Sequence, residues 1–281
     1  VLFGGFLLGP PALGLLGNGE IEVVVLDVGQ GDATLLRSPA GRWIMVDTGP
    51  KTRSFDAGER TILPFLRRRG VKRLDLMILT HPDMDHVGGA AAVLQGFPVA
   101  GVLDPGVPAG TEAFLSALGS ASDRGLPWHV AQVGDSIHLD GVAVRVLAPE
   151  NPDGGHGGEG ANASSLVLEV RYGEFSMLLT GDAPAEEEIR FLPRLLSARI
   201  HVLKVGHHGS ATSTSTELVD RTDPGVALIS AGRRNRFGHP HPEVLARLSE
   251  AGARIFRTDI HGTVTVRGKK NGTYSVSPQL Q

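Results

Sequence analysis

Cysteine is absent from the 281 residues, which excludes disulfides, zinc–thiolate sites and a thiol nucleophile. The absence does not fix a redox compartment, since a chain without cysteine suits either one. Aromatic side chains are scarce at 5%, so a broad base-stacking surface is not indicated. Neither sign of charge dominates: the formal net charge is −3, and the chain as a whole does not advertise a polyanion partner. That balance leaves nucleic acid possible, because two bound divalent ions would turn the total slightly positive and focus the added charge at one site. Long apolar runs are confined to Val1–Gly17, which lacks a basic flank and is too short and too rich in Gly and Pro for a secure spanning helix. Residues 1–18 are expected to be an apolar lead-in, the end of a membrane segment, with a buried N-terminal arm as the alternative; residues 19–281 form the domain proper.

What is present suits a large core. Hydrophobic residues make up 41% of the chain and glycine contributes 38 positions, a composition fitting many short strands joined by tight turns. Ile21–Leu26, Ala33–Arg37 and Trp43–Val46 read as strands. Glu59–Arg69 has helical spacing, with Ile62, Leu63 and Leu66 inward and Arg67, Arg68 and Arg69 at the end that favours cations. Strand Leu74–Leu79, a helix over Gly89–Leu94, strands near Val99–Leu103 and Val142–Leu147, and a helix over Glu112–Ser122 follow. Pro149–Ala163 reads as loop, and Ser165–Val170 with Phe175–Leu179 as a hairpin. Helices Ala185–Leu196, Thr216–Arg221 and Glu243–Ala251 then alternate with strands Ile200–Val205, Val226–Ile229 and Arg254–Phe256, and two strands, Thr263–Arg267 and Thr273–Val276, close the chain. Two mixed sheets packed together with helices outside, an α/β (α+β) arrangement, account for this order.

The densest chemistry is Leu79-Thr80-His81-Pro82-Asp83-Met84-Asp85-His86-Val87-Gly88-Gly89. Four potential metal ligands, His81, Asp83, Asp85 and His86, lie within six residues directly after a buried strand. They converge only if the turn is tight, which Pro82 and the Gly88-Gly89 pair allow. Imidazole and carboxylate together suit zinc, manganese or iron. Further groups end other strands beside glycine: Asp47 in Val46-Asp47-Thr48-Gly49, Asp182 in Leu179-Thr180-Gly181-Asp182, His207 and His208 in Lys204-Val205-Gly206-His207-His208-Gly209-Ser210, and His239 in Asn235-Arg236-Phe237-Gly238-His239-Pro240. One such group is usually a solvated turn; several after apolar strands favour a shared site at one sheet edge.

These motifs resemble those of the metallo-β-lactamase fold superfamily. More narrowly, with Asp27-Val28-Gly29-Gln30-Gly31-Asp32-Ala33 added, they resemble the C-terminal β-lactamase-like domain of the ComEC family of DNA-internalisation channels. The resemblance covers roughly Gly19 to Val276 and implies a four-layer αββα sandwich of two mixed sheets. It implies two divalent metal ions, the first held by His81 and Asp83, the second by Asp85, His86 and His207, with Asp182 bridging. Asp47, and with it Asp32 and His208, would support ligands from behind, a carboxylate fixing an imidazole tautomer. His239, Asp85 and Asp182 carry the catalytic expectation, His239 donating a proton to the leaving oxygen or holding a non-bridging phosphate oxygen. Ser210, Asn235, Arg233, Arg234 and Arg236 are the expected phosphate or strand contacts, and Lys204 is read as structural.

Two departures from the superfamily pattern matter. Asp83 stands where the pattern has a second His, and its third-motif His is replaced by Asn162-Ala163-Ser164-Ser165, with His156 a weak substitute. More oxygen and less nitrogen favours manganese, with zinc as the alternative. Two ions about 3.5–4 Å apart generate hydroxide near neutral pH and stabilise both oxygens of a phosphodiester displacement. The resemblance therefore implies a metal-dependent deoxyribonuclease, acting on single-stranded DNA and degrading the strand that is not imported. Its partners would be DNA, the membrane channel portion of the same protein and other competence proteins, with no organic cofactor and the domain on the outer side of the cell membrane. A small-molecule hydrolase of lactonase or thioesterase type, and a non-catalytic DNA-guiding module, stay open as alternatives.

Overall fold

The computed structural model describes residues 19–107, 109–150 and 160–280; the apolar lead-in and His156 lie outside them. Fifteen strands occur in this order among the described residues: β1 (Glu20–Val25), β2 (Thr34–Arg37), β3 (Trp43–Val46), β4 (Leu76–Ile78), β5 (Val102–Asp104), β6 (Trp128–Val130), β7 (Ser136–Leu139), β8 (Val142–Ala148), β9 (Val167–Tyr172), β10 (Phe175–Leu179), β11 (Val202–Lys204), β12 (Val226–Ile229), β13 (Arg254–Arg257), β14 (Val264–Lys269) and β15 (Tyr274–Pro278). The first sheet runs β15-β14-β1-β2-β3-β4-β5-β6 and the second β13-β12-β11-β10-β9-β8-β7. Both are mixed. Strands β3 to β6 are parallel in one sheet and β10 to β13 in the other, while the remaining pairs are antiparallel.

Burial defines the layers. Alternate residues of β1, Val23 and Val25, meet Val144, Val146, Val170 and Met177 of the other sheet in a core between the two. Val24, Met45 and Met77 face the opposite way, onto Leu63 and Leu66 of α1 (Leu63–Arg68) and Val93 and Leu94 of the helix Ala90–Gly96. Leu178, Leu203 and Ala227 likewise face Phe191, Leu218, Val219, Val244 and Leu248 from helices beyond the second sheet. Three apolar layers therefore separate helix, sheet, sheet and helix. This is the four-layer αββα sandwich expected from the sequence, and strand alternation explains it: side chains of period two serve an inner and an outer core at once.

Three local differences have physical reasons. The helix expected over Ala185–Leu196 is α-helical only to Phe191 and continues as a 3-10 turn over Leu192–Arg194, where Pro193 has no N–H to donate. The strands β6 and β7 carry polar residues, Ser136 and His138 among them, on their solvent-facing side, which hid them from a reading based on apolar runs. Ile200–Val205 pairs only over Val202–Lys204, and Val205 at its carboxyl end leads directly into the Gly206–Gly209 turn. Among the described residues no helix is long and apolar enough to cross a membrane.

Candidate metal centre

The carboxyl ends of the parallel strands in both sheets meet at one rim, the place where open α/β sheets present their binding groups. Asp47 follows β3, His81 follows β4, Asp182 follows β10, and His207 and His208 follow β11. Asp85 and His86 sit on α2 (Met84–Val87), a single helical turn. Gly88 and Gly89 end that turn, and a Cβ there would stand 2.3 Å from the Lys51 nitrogen and 2.4 Å from the Thr48 oxygen. Only glycine lets the chain pass so close. Three of the side chains leave from left-handed backbone, with φ of 58° at Asp47, 46° at His207 and 55° at His208. Such conformations in residues other than glycine are costly and concentrate at functional sites.

His86 lies at the centre. Its Nδ1 is 2.8 Å from Asp47 Oδ2 and its Nε2 is 3.2 Å from Asp182 Oδ1. Asp47 is itself fixed by Thr80, whose N–H donates to Oδ1 at 2.8 Å and whose hydroxyl donates to Oδ2 at 2.7 Å. His81 Nε2 stands 3.7 Å from Asp83 Oδ2 and 3.9 Å from Asp182 Oδ2. On the other side His208 Nε2 is 3.2 Å from Asp85 Oδ2 and 3.8 Å from Asp182 Oδ2. His207 Nε2 is 3.7 Å from Asp182 Oδ2, with about a quarter of its side chain exposed (26%). Asp182 is thus shared by four imidazoles.

A metal fits this arrangement on the evidence of the atoms themselves. His81 Nε2 is buried without a hydrogen-bond partner, a state that costs about 1–3 kcal/mol unless something satisfies it. His86 Nε2 and Asp182 Oδ1, buried beside it, face only each other at 3.2 Å without good hydrogen-bond geometry. Within two sets, His81 with His86 and Asp182, and Asp85 with His86 and His208, the potential ligand atoms all lie within 4.8 Å of one another. A third set, Asp32 with Asp47 and His86, also meets that distance, but Asp47 is consumed by Thr80 and the far nitrogen of His86, and Asp32 gives Oδ2 to Lys204, leaving Oδ1 3.5 Å from His208 Nδ1.

The electrostatics follow the same geometry. Burial pushes the His81 pKa down, and the neighbouring His86 charge adds to it, bringing it to about 4. Burial would lower His86 also, but the Asp182 and Asp47 carboxylates on either side overcome it and hold His86 well above the usual histidine range. The same contest at His208, burial against Asp182, Asp32 and Asp85, raises it to about 9. Burial would raise Asp182, and the charges of His86 and His208 more than reverse that, holding it well below the carboxylate range. Asp85 falls to about 2, its burial being outweighed by the His208 hydrogen bond and the His86 charge.

The remaining residues expected from sequence divide into two groups. Asp32 is buried and accepts from Lys204 Nζ at 2.7 Å, with Oδ1 3.5 Å from His208 Nδ1. His239 borders the cluster, its ring 5.5 Å from that of His207, and its Nδ1 is buried and unpartnered. Asn235 is placed inside its own loop: Nδ2 donates to the carbonyls of Gly232 and His239, and Oδ1 accepts from the N–H groups of Phe237 and His239. Ser210 is buried, its Oγ 3.1 Å from Thr212 Oγ1. Arg233, Arg234 and Arg236 are exposed on the loop carrying His239, Arg233 donating through Nε to the Asp259 carbonyl at 2.9 Å. Where the superfamily pattern has its third His, Ser165 Oγ accepts from the Asp182 N–H at 3.1 Å.

One participant escaped the sequence reading, and another stands elsewhere than expected. Thr80 anchors Asp47 and also reaches His81 Nδ1 at 3.0 Å; a hydroxyl directly before the first ligand candidate was the available signal. His208 was expected behind the metal and His207 in contact with it, yet His208 belongs to a convergent set and His207 to none. In neighbouring residues of identical type, residue identity does not say which one turns inward.

The fold and this constellation define a class. The Metallo-beta-lactamase superfamily profile matches residues 26–233, and the chain belongs to that superfamily, whose members bind divalent metals. The sequence is similar to ComE operon protein 3 of Bacillus subtilis, 36% identical over 93% of this chain and 35% of that protein. It is also similar to Recombination protein 2 of Haemophilus influenzae, 37% identical over 87% of this chain and 28% of that protein. These relatives support the ComEC-type resemblance read from the motifs, and the chain spans about a third of their length. Among solved structures, YhfI from Bacillus subtilis superposes with a TM-score of 0.57 at 11% identity, over 92% of this chain and 100% of that one. That likeness concerns the fold alone.

Proposed function

We propose that the chain is a metal-dependent hydrolase of DNA phosphodiester bonds. The observation that carries this reading is the convergence of His81 Nε2, His86 Nε2 and Asp182 Oδ1, buried and facing one another with no other hydrogen-bond partner, at a rim shared by both sheets. In this reading His81 and Asp83 hold one ion and Asp85, His86 and His208 the other, with His207 on the open side and Asp182 shared. Ions held there would supply an activated water and a counter-charge for a phosphodiester under displacement. Asp47 keeps His86 in the tautomer that presents Nε2 forward, and Lys204 holds Asp32 in place. His239 is kept neutral at pH 7, since burial and the His208, His207 and His241 charges lower its pKa to about 4. That favours an N–H holding a non-bridging phosphate oxygen over a strong acid for the leaving group.

The charge balance supports a metal-conditional substrate. The carboxylates Asp32, Asp47, Asp83, Asp85 and Asp182 outnumber the cations beside them, Lys204, His86 and His208, so without ions the site does not favour a phosphate. With two divalent ions the rim becomes attractive, and the exposed Arg233, Arg234 and Arg236 extend the positive surface along a strand. In a longer protein of the ComEC type, such a domain would stand on the outer side of the cell membrane. There it would degrade the DNA strand that the channel does not import, working with the channel portion and other competence proteins. Manganese is the ion this reading favours, with zinc the alternative.

The test is incubation of purified protein with labelled single- and double-stranded DNA and manganese, magnesium or zinc. Cleavage that depends on metal and disappears in Asp182→Ala supports the reading. Equal cleavage by Asp182→Ala refutes it, since the activity would then come from elsewhere. DNA retention without cleavage under every ion would favour a guiding module, and hydrolysis of lactones or thioesters with intact DNA would favour a small-molecule enzyme.

A further inference from the structure

Phe237 is the aromatic exception. Among the described residues it is the one aromatic side chain among the exposed large hydrophobics, at 49% exposure, the others being aliphatic. Leaving half a phenylalanine in water forfeits a large part of the roughly 1.5–3 kcal/mol its burial would contribute. The loop does not let it fold away. Asn235 Oδ1 accepts from the Phe237 N–H at 3.2 Å and the His239 N–H at 3.0 Å, while its Nδ2 donates to the Gly232 and His239 carbonyls at 2.9 and 2.7 Å. The exposed ring is therefore held outward by a braced frame.

Its neighbours fit a nucleotide. The Phe237 ring lies 5.6 Å from that of His239 at an interplanar angle of 26°, and His239 lies 5.5 Å from His207. His207 in turn is 3.7 Å from Asp182, so two ring contacts link the exposed aromatic to the metal centre. The Arg236 guanidinium carbon sits 5.0 Å over the Phe237 ring centroid, a cation–π pair covering one face of the ring; an incoming base that takes this face releases the guanidinium to the adjacent phosphate. Arg233 and Arg234 are exposed on the same loop, and residues 233–238 contain no acidic side chain. A ring that accepts any base beside cations that track a backbone is the chemistry of sequence-independent single-strand binding.

We propose that Phe237 is the base-stacking residue for the DNA strand at this centre, seating one unpaired base while Arg234 and Arg236 take the flanking phosphates. This inference rests on the DNA reading above and deepens it: the site takes strands whose bases have free faces, and a duplex presents none along its length. Phe237 is a positioning residue; it orders the scissile bond without touching it.

The experiment compares the parent with Phe237→Ala and Phe237→Trp, each with manganese, on a short fluorescent single-stranded oligonucleotide and on the same strand made fully abasic. Stacking contributes about 1–3 kcal/mol per base, so Phe237→Ala should weaken binding and raise KM for the intact strand about tenfold while kcat changes little. Phe237→Trp should restore both, and the abasic strand should bind parent and Phe237→Ala equally. Unchanged binding of the intact strand by Phe237→Ala, or an equal loss on the abasic strand, overturns the inference even where cleavage persists. If no ion supports cleavage, the hydrolase reading fails, yet a selective loss of intact-strand binding in Phe237→Ala still upholds this one. No binding of either strand by the parent sinks both.

Discussion

Lys204, at the end of β11 in one sheet, places Nζ 2.7 Å from Asp32 Oδ2 in the loop between β1 and β2 of the other, and both residues are buried. The pair pins the two sheets together directly behind His208. Burial would raise the Asp32 pKa, and the Lys204 charge, together with His208 and His86, more than reverses it. Breaking a buried pair from one side leaves an uncompensated charge, at about 3–5 kcal/mol. Lys204→Met should therefore lower the urea midpoint steeply, whereas the double variant Lys204→Met with Asp32→Asn should recover a large part of the loss. Strictly additive losses in that double-mutant cycle would mean the ion pair is not the unit of stabilisation.

Asp47 offers a cleaner separation of metal holding from folding. It accepts from the Thr80 N–H, the Thr80 hydroxyl and His86 Nδ1. Asn tolerates the left-handed backbone this position requires, but its amide group turns a donor toward those donors. Asp47→Asn should thus keep the fold, by circular dichroism, and weaken manganese binding about 10–100-fold, the usual effect of losing the carboxylate behind a ligand histidine. Calorimetry that finds the parental affinity would show that His86 is oriented by something else.

The metal-free protein should be sensitive to alkali. His208 is nearly fully buried and its pKa is raised to about 9. A histidine whose folded pKa lies above its unfolded value adds stability that is complete below about pH 6.5 and lost as pH rises through the folded value. Over the interval from about 6.5 to 9 the loss amounts to roughly 3 kcal/mol. Chelator-treated protein should melt at progressively lower temperature across that interval, and His208→Gln should lessen the dependence, the remainder coming from His86, which is also held above the usual histidine range. Restoring manganese at pH 8.5 should raise the melting temperature, since a bound ion replaces the proton. A flat profile in the chelated parent would contradict this account.

Much of this was legible in the sequence because strands of the two sheets are apolar on both faces and end abruptly in Asp, His and Gly. Val46-Asp47, Leu79-Thr80-His81 and Leu179-Thr180-Gly181-Asp182 each announce a strand end and a polar group together, and those groups meet at the rim. What stayed hidden depends on rotation or on distance along the chain. The placement of His208 among the buried groups and of His207 on the open side follows from a left-handed backbone at both, φ 46° and 55°, which no pattern of residue types encodes. The contacts of Asn235 with its own loop and of Lys204 with Asp32, 172 residues apart, required the closed fold. Phe237 carried no role in the sequence reading, because its exposure beside His239 depends on the folded loop.

Asp83 gives the means to test which ion the centre was built for. Its carboxylate lies 3.7 Å from His81 Nε2, its side chain is 43% exposed, and although it caps α2 in sequence it makes no side-chain cap bond there. Replacing it therefore disturbs coordination without unravelling the helix. Imidazole is a softer ligand than carboxylate and suits zinc, while carboxylate-rich sites suit manganese or magnesium. Asp83→His, which reinstates the nitrogen of the superfamily pattern, should shift the ratio of zinc to manganese affinity toward zinc by about tenfold or more, measured by competition titration. Activity with manganese should fall in parallel, while Asp83→Glu keeps the parental preference. If Asp83→His left the affinity ratio unmoved, this carboxylate would not be a ligand, and one ion held by Asp85, His86, His208 and Asp182 would have to account for any hydrolysis.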